Sequence, residues 1–137
     1  MAYNNLGTVE FGKGEVDDAI VNYQQALRLH PDYAEVHYNL GGALLAKDRI
    51  DEAIEQCEKA LALEPNDADA HVVLGNALMA RQSVDQAIVQ YERALTVRPE
   101  DVNAHYNLAV ALQQKGQTDR AAREFETARE LEAMTRQ

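Results

Sequence analysis

The chain has 137 residues and carries 13 lysines and arginines against 23 aspartates and glutamates, a formal net charge of −10. That length makes one ordinary domain, and its acidity repels phosphate backbones and anionic lipid, so neither nucleic acid nor a membrane surface is an expected partner. The lone cysteine, Cys57, excludes an internal disulfide, and no apolar run approaches the roughly 20 residues that span a bilayer.

Taken from the amino end, the chain reads as four similar units in step of 34 residues, each with two blocks of apolar residues at helical spacing. The first unit, about residues 1–33, predicts helices over 2–13 and 17–30, with Tyr3, Leu6, Gly7, Ala19, Tyr23 and Pro31 as landmarks. The second, about 34–67, predicts helices over 34–47 and 51–64. There Val36, Leu40, Ala43 and Leu44 share one face, and Ile50, Ala53, Ile54, Cys57, Ala60 and Leu61 share another. The third, about 68–101, predicts helices over 68–81 and 85–98 and carries His71, Leu74, Gly75, Leu78, Ala87, Tyr91 and Pro99 in the same places. The fourth, about 102–135, predicts helices over 102–115 and 119–134, with His105, Leu108, Ala109, Leu112, Ala121 and Phe125.

The punctuation repeats as well. Pro31, Pro65 and Pro99 end the second helices, and Asp32, Asn66, Asp67, Glu100 or Asp101 then supply a cap or a favourable charge for the next first helix. Asp17, Asp51, Asp85 and Asp119 open the second helices, where a carboxylate suits the helix dipole. Gly14 and Gly116 stand where a helix-ending residue with positive φ is expected, and Asp48 and Gln82 hold the equivalent places without glycine.

The two ends differ. In the last helix Thr118, Ala122 and Arg129 replace the valine or isoleucine, isoleucine and leucine of the earlier units, and Ala133 replaces proline, so the array is expected to end there. Met1 enters an uncapped helix with no leading turn, so the amino end is expected to have been cut from a longer chain. Residues 1–15 lack the basic start and apolar stretch of a secretory signal, which makes the cytoplasm the default compartment.

The order aromatic or histidine, Leu-Gly, large residue, Ala, aromatic, Pro resembles the tetratricopeptide repeat (TPR) family. The array is similar to the superhelical repeats of O-linked N-acetylglucosamine transferases and of bacterial TPR scaffold proteins. Glu10 and Ala109 depart from the pattern, at a large apolar position and a glycine position. The resemblance implies an all-α, right-handed superhelical solenoid of four helix-turn-helix repeats, eight antiparallel helices in a single domain. It also implies that the first helices line a concave wall. The residues then expected on the binding surface are Asn5, Thr8, Glu35, Tyr38, Asn39, Asp69, Asn76, Asn103, Tyr106 and Asn107, with Asn4 pointing the same way. Asparagine amides donate and accept together, so Asn5, Asn39 and Asn107 suit the backbone of an extended peptide, although Val73 breaks their series. They also suit a second reading as ordinary solvated positions.

Repeats that grip the acidic carboxyl tails of heat-shock chaperones carry lysine or arginine along successive first helices. The matching places here are Asn4, Thr8, Asn39, Asp69 and Val73, or Tyr38, Gly42, Val73, Asn103 and Asn107, with no cation in either set. The expected guest is therefore a basic or neutral protein segment, not an acidic chaperone tail. His37, His71 and His105 recur once per unit, too far apart on stacked helices to share a metal, and no catalytic or phosphate-cradling motif occurs. No enzyme activity, cofactor or metal is expected. A scaffold that binds protein is the first reading. A substrate-recruiting part of a larger enzyme such as a glycosyltransferase, and self-assembly through the amino-terminal unit, are alternatives.

Overall fold

The computed structural model describes residues 1–136, and every regular element among them is an α-helix: α1 (Ala2–Gly12), α2 (Val16–Leu29), α3 (Ala34–Ala46), α4 (Ile50–Leu63), α5 (Ala68–Ala80), α6 (Val84–Val97), α7 (Val102–Gln114) and α8 (Thr118–Thr135). Helix starts and ends fall within about one residue of those expected from hydrophobic period and proline spacing. The chain forms an all-α helical-repeat fold whose helices gather into two compact units, Met1–Pro65 and the residues from Asn66 onward. In the first unit α1 pairs with α2 and α3 with α4, while α2 also packs on α3. The second unit repeats this with α5, α6, α7 and α8, α6 packing on α7.

The period comes from close packing. Ala19, Ala53, Ala87 and Ala121 are buried, as are Ala26, Ala60, Ala94 and Ala128, and a bulkier group in either column would force two helices apart. The glycines after leucine serve the same contact more severely: a Cβ on Gly7 would stand 2.8 Å from Cε1 of Tyr23, and one on Gly41 would stand 2.8 Å from Sγ of Cys57. In the last hairpin Ala109 already carries that methyl. Its ring partner Phe125 is only half buried, where Tyr23 and Tyr91 are enclosed.

All four first helices end the same way. In α3 the amide of Asp48 donates to the carbonyl of Leu45 (2.9 Å) and that of Arg49 to Leu44 (2.9 Å), the paired bonds of a Schellman motif. Gly14 and Gly116 supply its positive φ at 83° and 87°, whereas Asp48 and Gln82 adopt 60° and 65° with a Cβ in place. Capping is less uniform than expected. Asp67 accepts from the amide of Ala70 and Asp101 from that of Ala104, but Tyr33 occupies the N-cap of α3 and Asp32 makes no cap bond. The aspartates at the second position of α2, α4, α6 and α8 act through charge in the first turn.

Candidate peptide-binding face

The expected binding residues lie on α1, α3, α5 and α7, and each compact unit assembles its own part of them. In the first unit the Nδ2 of Asn39 donates to Oδ1 of Asn4 at 3.1 Å, tying α3 to α1. Asn4 is thereby buried, not outward as its position suggested, because it supplies the acceptor between two adjacent first helices. Thr8 donates to the Asn4 carbonyl at 3.0 Å and sits 3.2 Å from the hydroxyl of Tyr23. Burial raises the Tyr23 phenol pKa, an effect that the Thr8 bond partly offsets. Asn5 and Glu35 remain exposed and Tyr38 is half-buried.

In the second unit the Nδ2 of Asn107 donates to Oδ1 of Asn76 at 3.2 Å, and the same oxygen accepts from the Tyr91 hydroxyl at 2.7 Å. Burial keeps that phenol protonated far above the usual tyrosine range. Tyr106 stands beside this pair with 54% of its surface exposed, its ring edge-on to Phe125 with centroids 5.5 Å apart and planes at 69°. Asn103, one turn earlier, is exposed.

The acid expected at Asp69 is not free. Arg98 reaches it with Nη1 at 3.0 Å and Nη2 at 3.5 Å and also touches Asp101 at 3.4 Å, so the guanidinium is held by a carboxylate fork. The hydrogen bond to Asp69, its charge and those of Asp101 and Asp67 raise the arginine pKa further. Asp67 and Asp101 are occupied as helix caps. Of the acids Glu35, Asp67, Asp69 and Asp101 on or beside the first helices, Glu35 alone keeps an exposed carboxylate without one of these assigned bonds among the described residues. Sequence reasoning missed Arg98 and Phe125. The only available signals were an arginine immediately before proline and an aromatic residue opposite Ala109.

The histidines clip helix to turn. His37 Nε2 donates to the Pro31 carbonyl at 2.7 Å while Nδ1 lies 2.8 Å from Oε1 of Gln56. His71 Nδ1 lies 2.7 Å from Oε1 of Gln90. His105 repeats the arrangement on Pro99 at 2.7 Å, but its Nδ1 meets a carboxylate, Oε2 of Glu124, at 2.6 Å. Three other carboxylates, those of Glu10, Glu15 and Asp18, each bring an oxygen within 4.8 Å of one another at the first turn, and Glu10 there accepts from Asn22. Among the described residues no helix is long and apolar enough to cross a membrane.

Comparison with known proteins gives a consistent result. Tetratricopeptide-repeat family models match residues 4–70, 75–116 and 102–133. No curated protein sequence matches the chain. Among solved structures, MamA is 30% identical with a TM-score of 0.85, the match covering 97% of this chain and 78% of that one. The first TPR of Spaghetti (RPAP3), bound to the HSP90 peptide SRMEEVD, is 25% identical with a TM-score of 0.80, over 84% of this chain and 91% of the other. A thermophilic TPR protein of Thermus thermophilus, at 22% identity and a TM-score of 0.90 over 96% of this chain and 74% of that one, shares the fold. With repeats in phase along nearly its whole length, small residues at the helix contacts and these relatives, the chain belongs to the tetratricopeptide repeat family.

Proposed function

We propose that this chain is a protein-interaction module that holds an extended polypeptide segment against the exposed faces of its first helices and carries out no reaction on it. The observation that supports this most directly is the Asn76–Asn107 pair beside exposed Tyr106. An asparagine amide offers two N–H groups and an accepting oxygen, and Asn107 spends one N–H on Asn76. What remains can meet a peptide backbone irrespective of its side chains, while the Tyr106 ring supplies a large contact with little loss of freedom. Asn39, held by Asn4, offers the same chemistry in the first unit.

The preferred guest is neutral or basic. The outward residues of the first helices include no lysine or arginine, and the net charge of −10 attracts cations over distances longer than a contact. The RPAP3 domain was solved with an acidic peptide. A tail of that kind would meet amides, tyrosines and Glu35 here, with no cation to form a charge-assisted fork. Arg98 is engaged by Asp69 and Asp101.

A peptide-array screen, read for the parent and for Tyr106→Ala and Asn107→Ala, tests this reading. Neutral or basic sequences are expected to dominate, with a loss of about tenfold in affinity for Tyr106→Ala. Equal binding by parent and both variants, or selection of acidic tails, would remove the proposal. Thermal unfolding of Asn107→Ala must accompany the screen, because that change also breaks a bond between α5 and α7.

A further inference from the structure

The last hairpin departs from the two before it at one polar contact. In α3 and α5 the Nδ1 of His37 and of His71 faces the side-chain amide of Gln56 and of Gln90, at 2.8 and 2.7 Å. An amide turns either its oxygen or its nitrogen toward a ring, so a neutral His37 that donates from Nε2 to Pro31 is fully matched there. In α7 the equivalent partner is Glu124, whose Oε2 lies 2.6 Å from Nδ1 of His105, while Nε2 of the same ring donates to the Pro99 carbonyl at 2.7 Å. A carbonyl only accepts, and so does a carboxylate. A neutral ring owns one N–H, so it satisfies one of these oxygens and turns a lone pair toward the other.

The charged groups on the elements packed against α7 are committed elsewhere or turned to solvent. Arg98, at the end of α6, is held by Asp69 of α5 and by Asp101, which also caps α7. Arg120, one turn before Glu124 on α8, reaches Gln117 and Glu92 of α6. Glu100, in the turn before α7, and Arg123, beside Glu124, are exposed. His71 of α5 is bonded to Gln90. Glu124 is thus the carboxylate that the ring meets, and with side-chain exposures of 13% and 23% the pair is shielded yet within reach of solvent protons.

We infer that His105 and Glu124 form a proton-operated clip that ties the turn between α6 and α7 to α8. With one proton more than a neutral ring beside a carboxylate, His105 donates from both nitrogens and grips Pro99 and Glu124 together, opposite charges facing each other across the shorter bond. When that proton leaves for solvent, one of the two bonds goes with it. The contribution of the clip is therefore present below about pH 6.5 and is lost as pH rises through the histidine range. The second hairpin, with Gln56 in this place, keeps both of its contacts on either side of that range.

Urea unfolding of the full chain between about pH 5.5 and 8.5, run beside Glu124→Gln, tests this. The variant restores the amide that faces His37, and the other titrating groups, common to both chains, cancel in the comparison. Across that range the unfolding equilibrium constant of the parent is expected to rise about three- to tenfold more than that of the variant. Nitrogen-15 spectra of the His105 ring at about pH 7 should show a larger doubly protonated share in the parent than in the variant. Unfolding midpoints that run parallel with pH in the two chains, or equal shares in the two spectra, would overturn the inference. Loss of stability in the variant by the same factor at every pH counts as parallel, since a merely structural bond would behave that way.

Discussion

The ring of Tyr91 lies so close over Gly75 that a Cβ placed on the glycine would stand 2.5 Å from its Cε1. Tyr91 is almost fully enclosed and its hydroxyl is committed to Asn76, so the ring has nowhere to retreat. Gly75→Ala is therefore expected to cost about 1–3 kcal/mol in denaturant unfolding. Gly42, mid-helix in α3, has nothing within 4 Å of the same construction. There the exchange to alanine removes only the entropy penalty of a helical glycine and should add about 0.5–1 kcal/mol. Two Gly→Ala changes with the same sign would contradict this account.

The turns at Asp48 and Gln82 offer a second measurement. Both residues occupy the left-handed region, at φ 60° and 65°, where a Cβ crowds the following carbonyl. Gln82→Gly should stabilise the chain by about 0.5–1 kcal/mol, the relief of strain exceeding the added freedom of the unfolded glycine. Gln82→Val should do the reverse. Urea midpoints of the two variants, taken with the parent, decide the point.

Alkaline pH should weaken the fold through two buried groups. Burial pushes the Cys57 thiol up to about 12, the charge of Glu58 adding to the effect, and burial likewise holds the Tyr91 phenol protonated. In the unfolded chain they ionise near about 8.5 and 10. Their contribution is thus fully present below about pH 8.5 and is lost as pH rises toward 12, because the unfolded chain releases protons that the fold retains. Each such group adds a slope of up to about 1.4 kcal/mol per pH unit within its window. Urea unfolding from pH 8 to 11 and tyrosinate absorbance should show the loss and the late ionisation together. A thiol reagent at pH 8 should label Cys57 only at the rate of opening.

Arg98 tunes the charge of the proposed peptide face. Its fork on Asp69 joins groups that are both about half exposed, so the pair itself contributes at most about 1 kcal/mol to stability. Removing it with Arg98→Ala frees one carboxylate on α5 and is expected to strengthen binding of a basic peptide about two- to fivefold at low salt, an advantage that fades as ionic strength rises. Calorimetric titration at two salt concentrations reads both effects. Weaker or salt-independent binding by the variant would place the guest elsewhere.

The contrast between what was and was not legible in the sequence follows from where the information lies. Ala53, Gly41 and Pro65 announce themselves because contact between two helices admits only small groups at those points and a proline stops the chain. Repetition then fixes the phase of every helix. Side-chain partners do not repeat. Asn39 turns to Asn4, 35 positions back, whereas Asn107 turns to Asn76, 31 positions back. Arg98 meets Asp69 only because the helix ends bring them together, and Asp32 makes no cap while Asp67 and Asp101 do. Such pairings depend on rotamers and register, which composition and spacing do not encode. Exposure of Leu6 is similarly invisible from the motif, since its neighbours in the pattern are Leu40 and Leu108.

One oxygen, Oδ1 of Asn76, accepts from the enclosed Tyr91 ring and from the surface amide of Asn107. Whatever pulls Asn107 outward to greet a visiting strand lightens the load on that atom and tightens its remaining bond to the phenol. On the proposed reading, a guest that draws Asn107 away is expected to change the near-ultraviolet signature of the interior Tyr91 ring.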